Sequence, residues 1–317
     1  MTENIFSVKN LKKSYPLSKH VLLNAVNDVS LEIKKGETLG LVGESGCGKS
    51  TLGKLLLGLE KCDSGEIFFC GEDISRFNFR QMQPLRKHMQ MIFQNSSDSF
   101  NPYYTIRQII EEPLNNYGKT NAAQNESIIR DMIKKVGLDE SFLTRFASEL
   151  SGGQRQRVGI ARALILTPEF VVCDEAVSSL DYAIRNKIID LLNELKKRNN
   201  LTYLFISHDI SAINQICTRV MVMYRGEIME ILPSLQNREK KRHPYTKALL
   251  AATLGIDPRD RKANNILFRK EEKEDGNGCP FYHRCLYSKD KCAHVRPILK
   301  PADKDGHLCA CHLVADN

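Results

Sequence analysis

The stretch Gly43-Glu44-Ser45-Gly46-Cys47-Gly48-Lys49-Ser50-Thr51 constrains this 317-residue chain more than any other. It fits G-x-x-x-x-G-K-[ST], a phosphate-binding loop. An apolar run, Thr38 to Val42, precedes it, and Leu52, Leu55, Leu56 and Leu59 follow at helical spacing. That order predicts strand, loop and helix. Glycines let backbone N–H groups wrap phosphate oxygens with no Cβ in the way. The helix N-terminus adds a dipole that favours anions. Lys49 can reach the β- and γ-phosphates, and the Ser50 hydroxyl can ligate Mg²⁺. The expected ligand is a nucleoside triphosphate with Mg²⁺.

A second segment, Leu150-Ser151-Gly152-Gly153-Gln154, lies about a hundred residues downstream and opens a helical pattern, Val158, Ala161, Leu164 and Ile165. Two glycines behind a serine at a helix start can bind an anion. Alone, such a segment is usually only an N-cap and a turn. It is followed by Phe170-Val171-Val172-Cys173-Asp174-Glu175, a buried strand ending in two carboxylates. A carboxylate at such a strand end can hold Mg²⁺, which leaves its neighbour to activate water.

The remaining pattern alternates strand and helix. Ile5 to Leu11, Val26 to Ile33, Glu66 to Phe69 and Leu201 to Ser207 read as strands, and Val220 to Ile231 as a hairpin turning at Arg225-Gly226. Residues 100–147 read mainly helical. A parallel sheet flanked by helices, with a helical insert, follows. No apolar run approaches the ~18 residues that span a bilayer, and the first residues do not read as a signal peptide. Net charge is +8; residues 236–317 hold 17 Lys/Arg against 11 Asp/Glu. A basic tail could meet nucleic acid or anionic lipid, but no nucleic-acid motif accompanies it. A solvated surface is the preferred reading.

Five of the ten cysteines, Cys279, Cys285, Cys292, Cys309 and Cys311, crowd the last 39 residues, behind the charged linker Arg269 to Gly278. So few large apolar residues accompany them that a metal site or cluster could staple the segment. Structural zinc is one option, although C-x₅-C and C-x₆-C are wider than the usual zinc knuckle. Free thiols are another.

In order, the motifs resemble those of ABC ATPases: Walker A at Gly43 to Thr51, Gln94 in Phe93-Gln94-Asn95, the signature at Leu150 to Gln154, and Walker B ending at Asp174-Glu175. Ser178-Ser179-Leu180-Asp181 and His208 complete the set. Asn101-Pro102, Ile109 to Leu114, His243 to Leu250 and the tail from Gly278-Cys279-Pro280-Phe281 are similar to oligopeptide/dipeptide permease ATPases. The implied fold is the α/β P-loop NTPase cassette: a parallel core sheet, an antiparallel β subdomain, a helical subdomain and a small Cys-rich extension. The implied division is an ATP-binding domain over 1–235 and a peptide-permease extension over 236–317.

The resemblance also implies roles. Lys49 binds phosphate within the loop Gly43, Glu44, Ser45, Gly46, Cys47, Gly48, Ser50 and Thr51, and Tyr15 stacks on adenine. Ser50, Gln94 and Asp174 hold Mg²⁺; Glu175 is the general base; His208 and Gln94 orient the γ-phosphate and water. Ser151, Gly152, Gly153 and Gln154 act on the ATP of a second, homologous ATPase, with Asp181 at the seam. Cys279, Cys285, Cys292 and Cys311 ligate a 4Fe–4S cluster lying outside the nucleotide sites, with zinc as the alternative and Cys309 as a thiol that could substitute.

The implied system is an importer of oligopeptides or dipeptides. Its partners are two permeases and an extracytoplasmic binding protein, with the chain peripheral on the cytoplasmic face. A nickel importer is the alternative cargo. A soluble ABC-type ATPase is the alternative class, but the gap between Walker A and the signature lacks a coiled coil and only one Walker A is present. Ala176, where the family usually has proline, and Ser179, often alanine there, are departures that supply no chemistry.

Overall fold

Two long strands open the computed structural model, β1 (Asn4–Ser18) and β2 (Val21–Lys34), paired antiparallel. The model describes residues 3–18, 21–94, 99–117, 121–178, 180–235, 243–254, 277–303 and 305–315. Next come β3 (Thr38–Val42) and α1 (Lys49–Leu56), then β4 (Ser64–Phe69) and β5 (Glu72–Asp73). Helix α2 (Phe79–Met82) precedes β6 (Met89–Ile92). β2, β1, β4 and β5 form a four-stranded antiparallel sheet. Its inner side packs Phe6, Val8, Leu11, Val26 and Ile33 on α1 and the core sheet.

The helical lobe contains α3 (Ile106–Tyr117), α4 (Ala122–Lys135) and α5 (Gly152–Leu164). Ile109, Ile110, Ile129, Ile133 and Val158 recur at turn spacing, so their shared face buries into one cluster. Each fully buried side chain of this kind stabilises by about 1.5–3 kcal/mol. Asn121 starts α4 and Ser151 starts α5, each with a reciprocal capping box, to Gln124 and Gln154.

Strands β7 (Phe170–Asp174) and β8 (Thr202–Ile206), like β3, are buried at every position. Continuous apolar runs of this kind belong to parallel strands covered on both faces. They are joined by α6 (Tyr182–Asn199), then α7 (Ile210–Ile216) leads to β9 (Arg219–Tyr224) and β10 (Glu227–Leu232). The order is β6-β7-β8-β3-β9-β10, parallel from β6 to β9 and antiparallel at β10. The expected cassette architecture is therefore present.

After α8 (Pro244–Leu254), the tail returns to this sheet. Strand β11 (Lys300–Pro301) pairs with β12 (Leu308–Cys309), and β12 pairs with β10 through Glu230↔Cys309. Tyr245 and Phe281 are fully buried in the same cluster as the core strands. The tail borrows the ATPase core because it has little of its own. Most of the charged linker lies outside the described residues, as do Asn95 and Ser179.

Candidate functional site

The carboxyl ends of four adjacent parallel strands converge on one place. β3 runs into the phosphate loop, β6 toward Gln94, β7 into Asp174-Glu175, and β8 into Ser207-His208. Ligands of open parallel sheets bind at such ends. Residues far apart in sequence meet there because each follows a buried strand.

The phosphate loop takes the shape its glycines allow. Gly48 has φ 103°, and a Cβ there would lie 1.8 Å from the Ala25 carbonyl oxygen. Lys49 is buried, and its Nζ donates to the Gly43 and Glu44 carbonyls at 2.9 and 2.8 Å. Ser50 Oγ donates to Asp174 Oδ1 at 3.0 Å. Burial pushes the Asp174 carboxyl above its ordinary pKa, opposed by the Ser50 hydrogen bond. This hydroxyl–carboxylate pair, one member on the loop helix and one at a strand end, is a fitting donor set for Mg²⁺ beside phosphate.

Both oxygens of Glu175 are engaged. Gln94 Nε2 donates to Oε2 at 2.9 Å, and His208 Nδ1 lies 3.2 Å from Oε1. The Glu175 backbone sits at φ 48°; its N–H donates to the Ile206 carbonyl, and its own carbonyl accepts from the Ser178 hydroxyl at 2.9 Å. A carboxylate fixed in this way can accept a proton from water between it and a γ-phosphate.

The signature residues stand apart from these contacts. Ser151 and Gly152 are exposed; Ser151 Oγ accepts from the Gln154 N–H, and the Ser151 N–H donates to Gln154 Oε1 in return. Gly153 is half-buried. Asp181 caps α6 by accepting from the Ile184 N–H. Tyr15 is half-buried on β1, its hydroxyl bonded to Glu60 and its ring 5.4 Å from Lys13 Nζ.

The tail cysteines divide. Cys279, Cys285, Cys292 and Cys311 line one small apolar pocket with His243, Phe281 and Pro297. A Cβ on Gly278 would come 2.3 Å from the Cys292 carbonyl, so only glycine lets these strands of chain close up. Burial pushes the Cys279 thiol up to about 12, and the three other thiols add to the shift. Among the described residues, no three of the four sulfurs lie within 4.8 Å of one another. Sulfurs on one tetrahedral zinc lie about 3.8 Å apart, given Zn–S near 2.3 Å. Cys309, read above as a possible substitute, lies off this pocket. It sits beside buried Glu230 and His307, which are themselves 2.7 Å apart.

Three contacts carry no signal in the sequence. Gln156, buried on α5, donates to the carbonyls of both Phe93 and Ala176 and so ties the helical lobe to two strand-end loops. Tyr245 OH accepts from the Glu44 N–H at 2.9 Å. Arg284 makes a two-pronged ion pair with Glu44, at 2.8 and 2.9 Å. The tail thus grips the phosphate loop, with Phe281, Tyr224 and Tyr245 packed ring against ring beside it.

Comparison with known proteins agrees with this geometry. Residues 26–178 match the ABC transporter family, and residues 229–292 match the oligopeptide/dipeptide transporter C-terminal region. The oligopeptide transport ATP-binding protein AppF of Bacillus subtilis is 41% identical over 322 residues, covering 98% of each chain. This chain belongs to the oligopeptide/dipeptide permease family of ABC transporter ATPases. Solved ABC cassettes share its fold. MJ0796, a dimer in a post-hydrolysis state with ADP and Pi, is 29% identical with a TM-score of 0.67 over 70% of this chain and 96% of that one. CbiO1 of Clostridium perfringens, part of an ABC transporter complex, is 26% identical with a TM-score of 0.62 over 73% of this chain and 89% of that one. As an ABC ATPase, the chain hydrolyses ATP. Among the described residues no helix is long and apolar enough to cross a membrane.

Proposed function

We propose that this chain powers uptake of oligopeptides or dipeptides by hydrolysing ATP beneath partner permeases, at the cytoplasmic face of the membrane. The carrying observation is one body that joins a strand-end ATPase constellation to a C-terminal region of the peptide-transporter type. That region favours peptide over nickel as cargo. The working division runs at residue 235, with the ATPase over 1–235 and the extension over 236–317.

Lys49 holds the β- and γ-phosphates while Ser50 and Asp174, with Gln94 alongside, hold Mg²⁺, which neutralises charge on the phosphate oxygens when bound. Tyr15 supports the adenine. Glu175 takes a proton from the attacking water, and His208 and Gln94 keep its carboxylate aligned. Ser151, Gly152, Gly153 and Gln154, the first two exposed, complete the ATP site of a second, homologous ATPase, with Asp181 at the seam. Nucleotide thus biases a closed against an open pair of cassettes.

A groove of about 290 Å³ lies between Leu57, Met89 and Phe93 on one side and Pro113, Asn116 and Arg162 on the other. It adjoins Gln94, and a cytoplasmic helix of a permease fits there. An extracytoplasmic binding protein delivers the cargo. Cys279, Cys285, Cys292 and Cys311, which line one pocket, hold one 4Fe–4S cluster, which staples the tail.

The test is reconstitution in vesicles with the second ATPase, both permeases and the binding protein. ATP-driven uptake of labelled peptide, lost in Glu175→Gln, is the expected result. Nickel uptake without peptide uptake would replace the cargo. Full activity of the isolated monomeric chain would remove the shared ATP sites.

A further inference from the structure

Glu44 places a carboxylate inside a loop built to hold a polyphosphate. An anion there repels the ligand unless it is compensated, by about 2 kcal/mol at 8 Å and an effective dielectric constant of 20. Compensation arrives from 240 residues away. Arg284 Nη1 and Nη2 meet the two Glu44 oxygens at 2.8 and 2.9 Å. The fork geometry is the one that fits a carboxylate with both hands.

The arginine is itself held. Its side chain is 15% exposed. Nη1 also donates to Tyr224 OH at 3.3 Å, and its guanidinium lies 5.7 and 5.8 Å from the Tyr224 and Phe281 ring centres. It directly precedes Cys285, so the cysteine pocket anchors its backbone. The loop end is also fixed, since Tyr245 OH accepts the Glu44 N–H and Lys49 Nζ donates to the Glu44 carbonyl at 2.8 Å. One residue, Glu44, therefore connects the tail cation to the lysine that meets phosphate.

We propose that Arg284 is a positioning residue for nucleotide binding, neutralising Glu44 and seating the loop carbonyl on which Lys49 rests. The C-terminal module thereby sets ATP affinity. The proposal rests on the phosphate loop holding ATP.

The test measures MgATP affinity of the full chain by calorimetry, and KM and kcat in the assembled transporter. Arg284→Gln should weaken MgATP binding about thirtyfold, the equivalent of about 2 kcal/mol for an uncompensated carboxylate near phosphate. KM should rise with kcat nearly unchanged. In a Glu44→Gln background, adding Arg284→Gln should cost less than about twofold, because no charge is left to compensate. The double variant Glu44→Gln/Arg284→Gln should recover most of the lost affinity, which a merely structural arginine would not allow. Arg284→Lys, keeping charge without the fork, should lose less than Arg284→Gln. Wild-type affinity in folded Arg284→Gln would overturn the proposal. So would a double variant as weak as Arg284→Gln, or equal losses with lysine and glutamine. If Arg284→Gln does not fold, the comparison of Arg284→Lys with the double variant decides in the same way: the double variant must bind at least as well as Arg284→Lys.

Discussion

Ser50 Oγ and Asp174 Oδ1 lie 3.0 Å apart although 124 residues separate them. One stands at the first turn of α1 and the other at the last residue of β7. Substituting either, as Ser50→Ala or Asp174→Asn, should raise the Mg²⁺ concentration needed for turnover. Hydrolysis should fall roughly a hundredfold or more, since a metal ion supplies several kcal/mol of transition-state stabilisation. A Mg²⁺ titration of ATPase rate at fixed ATP checks this; an unchanged midpoint would detach the pair from the metal.

Glu175→Gln should cut hydrolysis by about 10²–10⁴-fold while ATP still binds. The amide can keep its bonds to Gln94 and His208 but cannot take the proton. Single-turnover phosphate release, measured beside nucleotide binding, separates the two effects. A near-wild-type rate would move the base elsewhere.

Gly48→Ala should abolish nucleotide binding. Its φ of 103° costs an L-residue about 1–3 kcal/mol. The added Cβ also meets the Ala25 carbonyl at 1.8 Å, so β2 or the loop must move. Loss of MgATP binding with a modest fall in Tm is the expected pair of readings; retained affinity would mean the loop tolerates the shift.

Serine at Cys279, Cys285, Cys292 or Cys311 should remove bound metal, and Cys309→Ser should not, because its sulfur lies by Glu230 and His307. Protein purified without oxygen should carry iron and acid-labile sulfide. Stoichiometric zinc without sulfide would replace the cluster. Because Arg284 adjoins Cys285, MgATP affinity should fall in the pocket variants as well.

Phe281→Ala should cost about 3–5 kcal/mol, as for other large-to-small changes at fully buried aromatics. The loss should appear first as proteolysis of the tail, since Phe281 is the ring that seats it on Tyr224 and Tyr245. A tail as resistant as wild type would show that the cysteine pocket alone holds it.

The strand ends were readable because chemistry there demands particular residues beside buried strands. Thr38–Val42 and Phe170–Asp174 stand out as apolar runs, and each motif follows one directly. Met89–Ile92 did not stand out; four residues with a glutamine among them give no period to read. Gln156 and Arg284 were invisible for another reason. Each acts on a backbone carbonyl or a carboxylate brought close only by tertiary packing, and no spacing along the chain encodes such a meeting. The four cysteines that the resemblance implies as ligands line one pocket. Cys309 was separable only once β12 fixed which sulfur faces Glu230.

At one edge of the core sheet lies a very short, solvent-exposed strand. β11 is two exposed residues, Lys300 and Pro301. Proline has no N–H to offer a further strand, and lysine puts a charge where another chain would dock. Without the tail, β10 would present its bare hydrogen-bonding groups to any similar strand. The β11–β12 segment thus keeps neighbouring copies from pairing edge to edge, and a shortened chain ending before residue 300 should self-associate in solution.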